Sequence, residues 1–271
     1  MKIVSIGEST IDHYPDLNRS FVGGISLNFA VHARRCGADA VSLVSRVGRD
    51  EAGRCVYEKL EQERVDSSYV AMLAGETATC DIRVVDHGER VFPPGGYHRN
   101  VLADFRLTPE ELRFIRQQDV LAVMYDGGQE GGFFHQVMAE LDFDGKRVAD
   151  FGDWAGYGDD HDALIASLTL TDLAFVSGPE AAIDTLRPIS TRHDGLIVVT
   201  RGAEGSAALV EGVPIFQPAR TVPTPVDSTG CGDAFQAAFT TVYFRTGSIE
   251  QALREGSDRA AEVLQHYGAM G

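Results

Sequence analysis

Asp227-Ser228-Thr229-Gly230-Cys231-Gly232-Asp233-Ala234-Phe235 ends a loop in small residues, sets a carboxylate directly after them and then launches a helix. At a helix start the unpaired backbone N–H groups and the positive end of the helix dipole favour negative charge, and glycines let an anion approach the main chain. Gly230 and Gly232 are placed to give that access. Downstream, Phe235, Ala238, Phe239 and Val242 fall at i, i+3, i+4 and i+7, and Gly247 is a stop signal. The spacing therefore puts Asp233 in the first turn, as a candidate general base beside a phosphate-sized cradle. A G-x-G-D turn alone is common before helices and decides little; the nine-residue string is far more specific.

A second glycine-led string, Gly23-Gly24-Ile25-Ser26-Leu27-Asn28-Phe29-Ala30, is followed by Gly37, Gly48, Asp50 and Gly53. The pair reads by itself as a turn, while Asn28 brings one amide acceptor and two donors to the helix that follows. Thr200-Arg201-Gly202-Ala203-Glu204-Gly205 follows a strongly apolar strand, and Ser177-Gly178-Pro179-Glu180 follows another. No G-x-x-x-x-G-K-[ST] string is present, so the nucleotide chemistry is not that of a P-loop.

The strings at 23–30 and 227–235 resemble the two signatures of the ribokinase/PfkB family of carbohydrate kinases, and the likeness extends over essentially the full chain. It implies a ribokinase-like fold, with Asp233 taking the proton of a substrate hydroxyl and the N–H groups of Gly230, Cys231 and Gly232 forming an anion hole. Asp12, Gly23, Gly24 and Asn28 are then the sugar-binding residues. Thr200, Gly202, Gly205 and Gly268 border ATP, and Glu180 organises Mg2+-bound water, while by itself it equally reads as an acid that stabilises the first turn of a helix. Asp227, Thr229 and the Gly268 region are candidate K+ contacts, with Asp227 equally readable as a loop cap through side-chain to backbone bonds. Two positions depart from the family pattern: Cys231 stands where alanine is usual and reads as a small filler, and Ser177 stands in place of asparagine.

Weaker cues, among them Gly7-Glu8, Asp12 to Asn18, Arg90-Val91-Phe92 and His266-Tyr267-Gly268-Ala269, lie nearest a branch of that family. Its members phosphorylate a primary hydroxyl, the 6-hydroxyl, of a sugar–amino acid conjugate such as fructoselysine. Acids at Asp16, Asp104, Asp150, Asp153, Asp159 and Asp160 are candidates to line the mouth against a cationic nitrogen, and equally read as solvated surface. A general hexose, ketose or nucleoside kinase stays open, as does a non-catalytic sugar-binding regulator on the same scaffold. A homodimer is compatible with all three.

Composition bounds the partners. The net charge of −16 excludes a nucleic-acid binder of the usual basic kind, yet leaves room for ATP held by local N–H groups and magnesium. Cys36, Cys55, Cys80 and Cys231 form no C-x-x-C pair and read as reduced thiols of a cytoplasmic protein. No apolar run approaches a membrane span, and the opening Met1 to Gly7 is too short to be a signal peptide.

Short apolar runs alternate with helical patterns, which predicts an α/β fold with a mostly parallel, doubly wound sheet flanked by helices. Strands are expected at 3–6, 41–44, 120–124, 148–151, 173–176 and 196–200, with a hairpin at 207–216. Helices are expected after Gly24 and Arg49, at Pro109 and Ser248 with capping-box partners, and near Gly132 and Pro179. The extended segments near 12–21 and 77–96 break the alternation, and the family resemblance makes them a small β lid on a single domain of residues 1–271.

Overall fold

The computed structural model describes residues 1–128, 130–158 and 161–271. In chain order its strands are β1 (Lys2–Ile6), β2 (Thr10–Tyr14), β3 (Arg19–Gly23), β4 (Ala40–Gly48), β5 (Asp66–Leu73), β6 (Thr79–Asp81), β7 (Arg83–Val84), β8 (Arg90–Val91), β9 (Tyr97–His98), β10 (Val120–Met124), β11 (Lys146–Asp153), β12 (Leu173–Ser177), β13 (Leu196–Thr200), β14 (Ser206–Val210) and β15 (Val213–Gln217). The helices are α1 (Ile25–Arg35), α2 (Glu51–Gln62), α3 (Pro109–Ile115), α4 (Phe133–His135), α5 (Asp162–Leu168), α6 (Glu180–Ser190), α7 (Cys231–Thr246) and α8 (Ile249–Val263).

Among the described residues the main sheet runs β15-β14-β13-β12-β11-β10-β1-β4-β5, parallel from β13 to β5, with β14 and β15 an antiparallel hairpin on one edge. Its strands alternate strictly between two buried cores. Ile3, Val41, Leu43, Val120, Phe175 and Val198 face α1, α2, α7 and α8. Val4, Ile6, Val44, Leu121, Val176 and Val199 face α3 to α6. Because side chains on successive strand residues point to opposite faces, burial on both faces requires the near-continuous apolar runs seen in the sequence. The expected α/β class with a mostly parallel sheet is the observed one.

The chain moves outward from β1 through β4 and β5, then returns to β10 on the other side of β1 and moves outward again through β13. That reversal opens a crevice at the carboxyl ends of the strands, the usual ligand position of a doubly wound sheet. β2 follows β1 after three intervening residues and pairs with β3 and β6, giving a second sheet of order β3-β2-β6-β9. The hairpin β7–β8 stands apart from both sheets.

Candidate active site

α7 starts at Gly230, whose φ of +78° suits glycine, and carries Asp233 in its first turn. An added Cβ at Gly230 would lie 2.4 Å from Cβ of Ala269, so this glycine is required by the packing of the C-terminal loop. Gly232 differs: an added Cβ there meets nothing within 4 Å, leaving its main chain open to a ligand. Cys231 donates its thiol to the Ala260 carbonyl at 3.5 Å, and burial pushes its pKa up to about 12. It stays a protonated filler.

The Asn28 amide on α1 donates to Oδ2 of Asp233 at 2.7 Å, joining two signatures that lie 205 residues apart. Oδ1 of the same amide is buried without a partner among the described residues. Burial pushes the Asp233 carboxyl up to about 7; the Asn28 bond and the Arg90 charge work against that rise, while Asp150 and Glu8 add to it. Asp150, at the carboxyl end of β11, is raised by burial too and is held by the Gly152 N–H at 2.8 Å and by Gln236, one turn beyond Asp233. A carboxylate poised near neutrality suits proton abstraction from an alcohol.

Asp12 on β2 faces the same space. It is 4% exposed, accepts from the Thr10 hydroxyl at 2.8 Å, and is pushed up to about 7 by burial. An added Cβ at Gly23 would fall 2.0 Å from Oδ2 of Asp12, and one at Gly24, where φ is +103°, would meet the Ser9 backbone at 2.8 Å. The glycine pair thus makes room for an acid and for the crossing chain. Glu8 accepts from the hydroxyl of Tyr97 on β9, and burial raises its pKa. Gly48, Asp50 and Gly53 form a separate joint: Asp50 caps α2 through the Gly53 N–H at 2.8 Å and accepts from the Thr77 N–H at 2.8 Å.

Asp227 is fully buried and accepts four hydrogen bonds. They come from the Tyr14 hydroxyl (2.7 Å), the Thr229 N–H (3.0 Å), the Thr229 hydroxyl (2.7 Å) and the Gly268 N–H (2.9 Å). This knot ties the loop before α7 to β2 and to the C-terminal turn. Asp12, Gly23, Gly24 and Asn28, expected on the sugar side, and the loop residues Asp227 to Asp233 therefore converge.

Thr200 ends β13, and Gly202 and Gly205 follow it in the turn into β14. An added Cβ at Gly202 meets nothing within 4 Å, whereas at Gly205 it would lie 2.1 Å from the Gln217 carbonyl, so Gly205 is fixed by the β14–β15 hairpin. Gly268 has φ of +80° and packs on the Phe21 ring. Glu180 is exposed at the first residue of α6, just beyond the exposed Ser177. Among the described residues no group of three or more His, Cys, Asp or Glu is arranged to hold a metal ion.

The chain matches the profile of the pfkB family carbohydrate kinases over residues 2–124 and 163–271. It belongs to that family. It is 32% identical over 272 residues to the fructoselysine 6-kinase of Shigella flexneri, with 98% of each chain covered. With a fructosamine kinase of Bacillus subtilis (strain 168) it shares 26% identity over 281 residues, covering 100% of this chain and 93% of that one. Among solved structures, adenosine kinase from Sinorhizobium meliloti superposes with a TM-score of 0.85 over 100% of this chain and 95% of that one, at 17% identity, a likeness of fold alone.

As a pfkB kinase the chain is an ATP-dependent phosphotransferase acting on a small sugar. No described helix is long and apolar enough to cross a membrane. Of the acids expected at the mouth, Asp150 lies by Asp233, while Asp153 caps the turn after β11 through the Ala155 N–H at 3.0 Å. Asp104 is exposed, and Asp159 and Asp160 lie outside the described residues. Asp16 lines a cavity of about 310 Å³ with Tyr14, Val85, Pro225 and Tyr267, which none of Asp12, Asn28 and Asp233 touches. Sequence reasoning gave no role to Glu8, Tyr14, Arg90 or Gln236. Their partners lie far along the chain, and the cues at Gly7-Glu8, Asp12 to Asn18 and Arg90-Val91-Phe92 marked three of them without assigning what they do.

Proposed function

We propose that the protein transfers the γ-phosphoryl group of ATP to the primary 6-hydroxyl of a fructosamine, a fructose joined through C1 to the amine of an amino acid such as lysine. The observation that carries the kinase chemistry is the Asn28–Asp233 bond at the start of α7, beside open backbone at Gly232. The likeness to the fructoselysine and fructosamine kinases supports the substrate class, and the acid-rich surroundings of Asp12, Glu8, Asp150 and Asp233 suit a substrate that carries an ammonium.

In this reading the sugar lies between Asp12, Gly23, Gly24 and Asn28, and the unpartnered Oδ1 of Asn28 accepts from a sugar hydroxyl. Asp233 takes the proton of the 6-hydroxyl, and the N–H groups of Gly230, Cys231 and Gly232 receive the phosphoryl oxygens. Thr200, Gly202, Gly205 and Gly268 border the nucleotide. ATP brings Mg2+, whose hard coordination shell of phosphates and waters fits the single exposed carboxylate of Glu180 as an outer partner. Asp227 serves as the knot of the loop through its four donors, and with Thr229 and the Gly268 region it remains the candidate K+ contact. The second sheet and the β7–β8 hairpin act as a lid over one ribokinase-like unit, excluding water during transfer. The four free cysteines support a reducing, cytoplasmic setting, and Val85, Val91 and Phe92, exposed on the hairpin, support a homodimer.

Asp233→Asn tests the assignment of the base. It is expected to retain fold and ATP binding and to lower kcat by roughly 10²- to 10⁴-fold. Turnover equal to the wild type removes Asp233 from the mechanism. A general hexose, ketose or nucleoside kinase is the second reading, separated from the first by substrate preference; a non-catalytic regulator is disfavoured by the intact Asn28–Asp233 pair.

A further inference from the structure

The site around Asp233 is rich in acceptors: Glu8, Asp12, Asp150, Asp233 and the unpartnered Oδ1 of Asn28. ATP adds a further anion to that field. Besides the Mg2+ that ATP brings, a cation close to the anion hole would offset that repulsion during transfer. Arg90 is placed to supply one: its guanidinium is hydrogen-bonded to the Ser228 carbonyl, two residues before Gly230. Its charge acts on Asp233, on Asp150 and on Cys231 of the anion hole.

The hairpin that carries Arg90 is docked on the loop leading into α7. Ser228 N–H donates to the Gly88 carbonyl at 2.7 Å, and Arg90 N–H donates to the Ser228 hydroxyl at 2.9 Å. The Arg90 guanidinium donates to the Ser228 carbonyl at 3.3 Å and packs over Phe92, 5.3 Å from the ring centroid. Gly88 has φ of +74°, and an added Cβ there would lie 3.0 Å from the carbonyl carbons of Pro225 and Val226, so the turn fits tightly against that loop. Ser228 is two residues before Gly230.

We propose that Arg90 is a catalytic residue which contacts the phosphoryl group in transit and is delivered to it by docking of the β7–β8 hairpin. The inference rests on the reading of Asp233 and the anion hole given above. As Asp233 accepts the proton of the primary hydroxyl, the oxygen lone pair forms the new O–P bond. The bond from γ-phosphorus to the β–γ bridging oxygen breaks, its electron pair leaving on ADP. Charge spreads over the three equatorial oxygens, and the planar guanidinium donates charge-assisted hydrogen bonds to them. Because the bonds through Ser228 hold the hairpin in place, the cation is present only when the hairpin covers the site.

The test compares wild type, Arg90→Ala and Arg90→Lys on fructoselysine with saturating Mg-ATP, with sugar affinity measured calorimetrically beside a non-hydrolysable ATP analogue. Arg90→Ala is expected to lose about 10³-fold in kcat with sugar affinity within about threefold, and Arg90→Lys to recover less than about a tenth of the loss, since a point charge does not replace the fork. Millimolar guanidinium added to Arg90→Ala restores turnover at least about tenfold, a response that loss of folding or of hairpin structure does not give. A kcat near the wild-type value, a loss confined to sugar affinity, or absence of guanidinium rescue each overturns the proposal. If wild type turns over another sugar and not fructoselysine, the substrate reading fails and the Arg90 comparison is made on that sugar.

Discussion

Asp233 has to be ionised to accept a proton, and burial holds its pKa up to about 7. Activity limited by this group therefore falls as pH drops below about 7, approaching tenfold per unit. Asn28 and Arg90 face it and lower its pKa; Asp150 and Glu8 face it and raise it. Asp12, also held near 7 and coupled to Asp233, makes the limb a property of the pair. Asp150→Asn removes a like charge and is expected to move the acid limb of kcat/KM to lower pH. A limb that stays in place or rises shows that Asp150 does not face the base as the structure has it. At this scale the sequence exposed Asp233, Asn28, Asp12 and the glycine pair, because each lies in a short string with a chemical reason for its spacing. It did not expose the purposes of the glycines. Gly23 clears Asp12, Gly230 clears Ala269, and Gly205 clears Gln217, contacts set by residues far along the chain.

The first turn of α7 separates two uses of glycine. Gly230→Ala places a side chain at φ of +78° against Ala269 and is expected to cost about 1–3 kcal/mol of stability, read as a lower Tm. Gly232→Ala has open space and is expected to leave Tm unchanged while lowering kcat, its methyl group occupying the approach of a phosphoryl oxygen. Unchanged kcat in Gly232→Ala places the anion hole elsewhere. Caps made other elements legible: Thr108 and Glu111 form the reciprocal box at α3, whereas at α8 only half of the expected box forms, Ser248 accepting from the Gln251 N–H at 3.2 Å while its own N–H donates to the Thr246 hydroxyl at 3.2 Å. β5 and α5 carried no comparable signal. β5 fully buries only Val70, and α5 is seven residues long with Leu164 and Leu168 as its buried positions, too short for a period to stand out. The docking of the β7–β8 hairpin on Ser228 joins residues 138 apart and has no local pattern to betray it.

Across the whole molecule the alternation of apolar runs and helices was enough to give the α/β class, since a sheet buried on both faces writes its strands as continuous apolar text. The edge order of the sheet and the placement of the second sheet depend on pairings between distant segments and came from the structure. The net charge of −16 disfavours nucleic acids and anionic surfaces as partners. The substrate proposed for this kinase is a fructosamine. The most direct test is ADP formation measured side by side with fructoselysine, free fructose, ribose and a set of nucleosides, with the position of the phosphate assigned by phosphorus NMR. The highest kcat/KM is expected for fructoselysine or a closely related fructosamine, with the phosphate on the 6-oxygen; a higher kcat/KM for a neutral sugar or a nucleoside rules that substrate out.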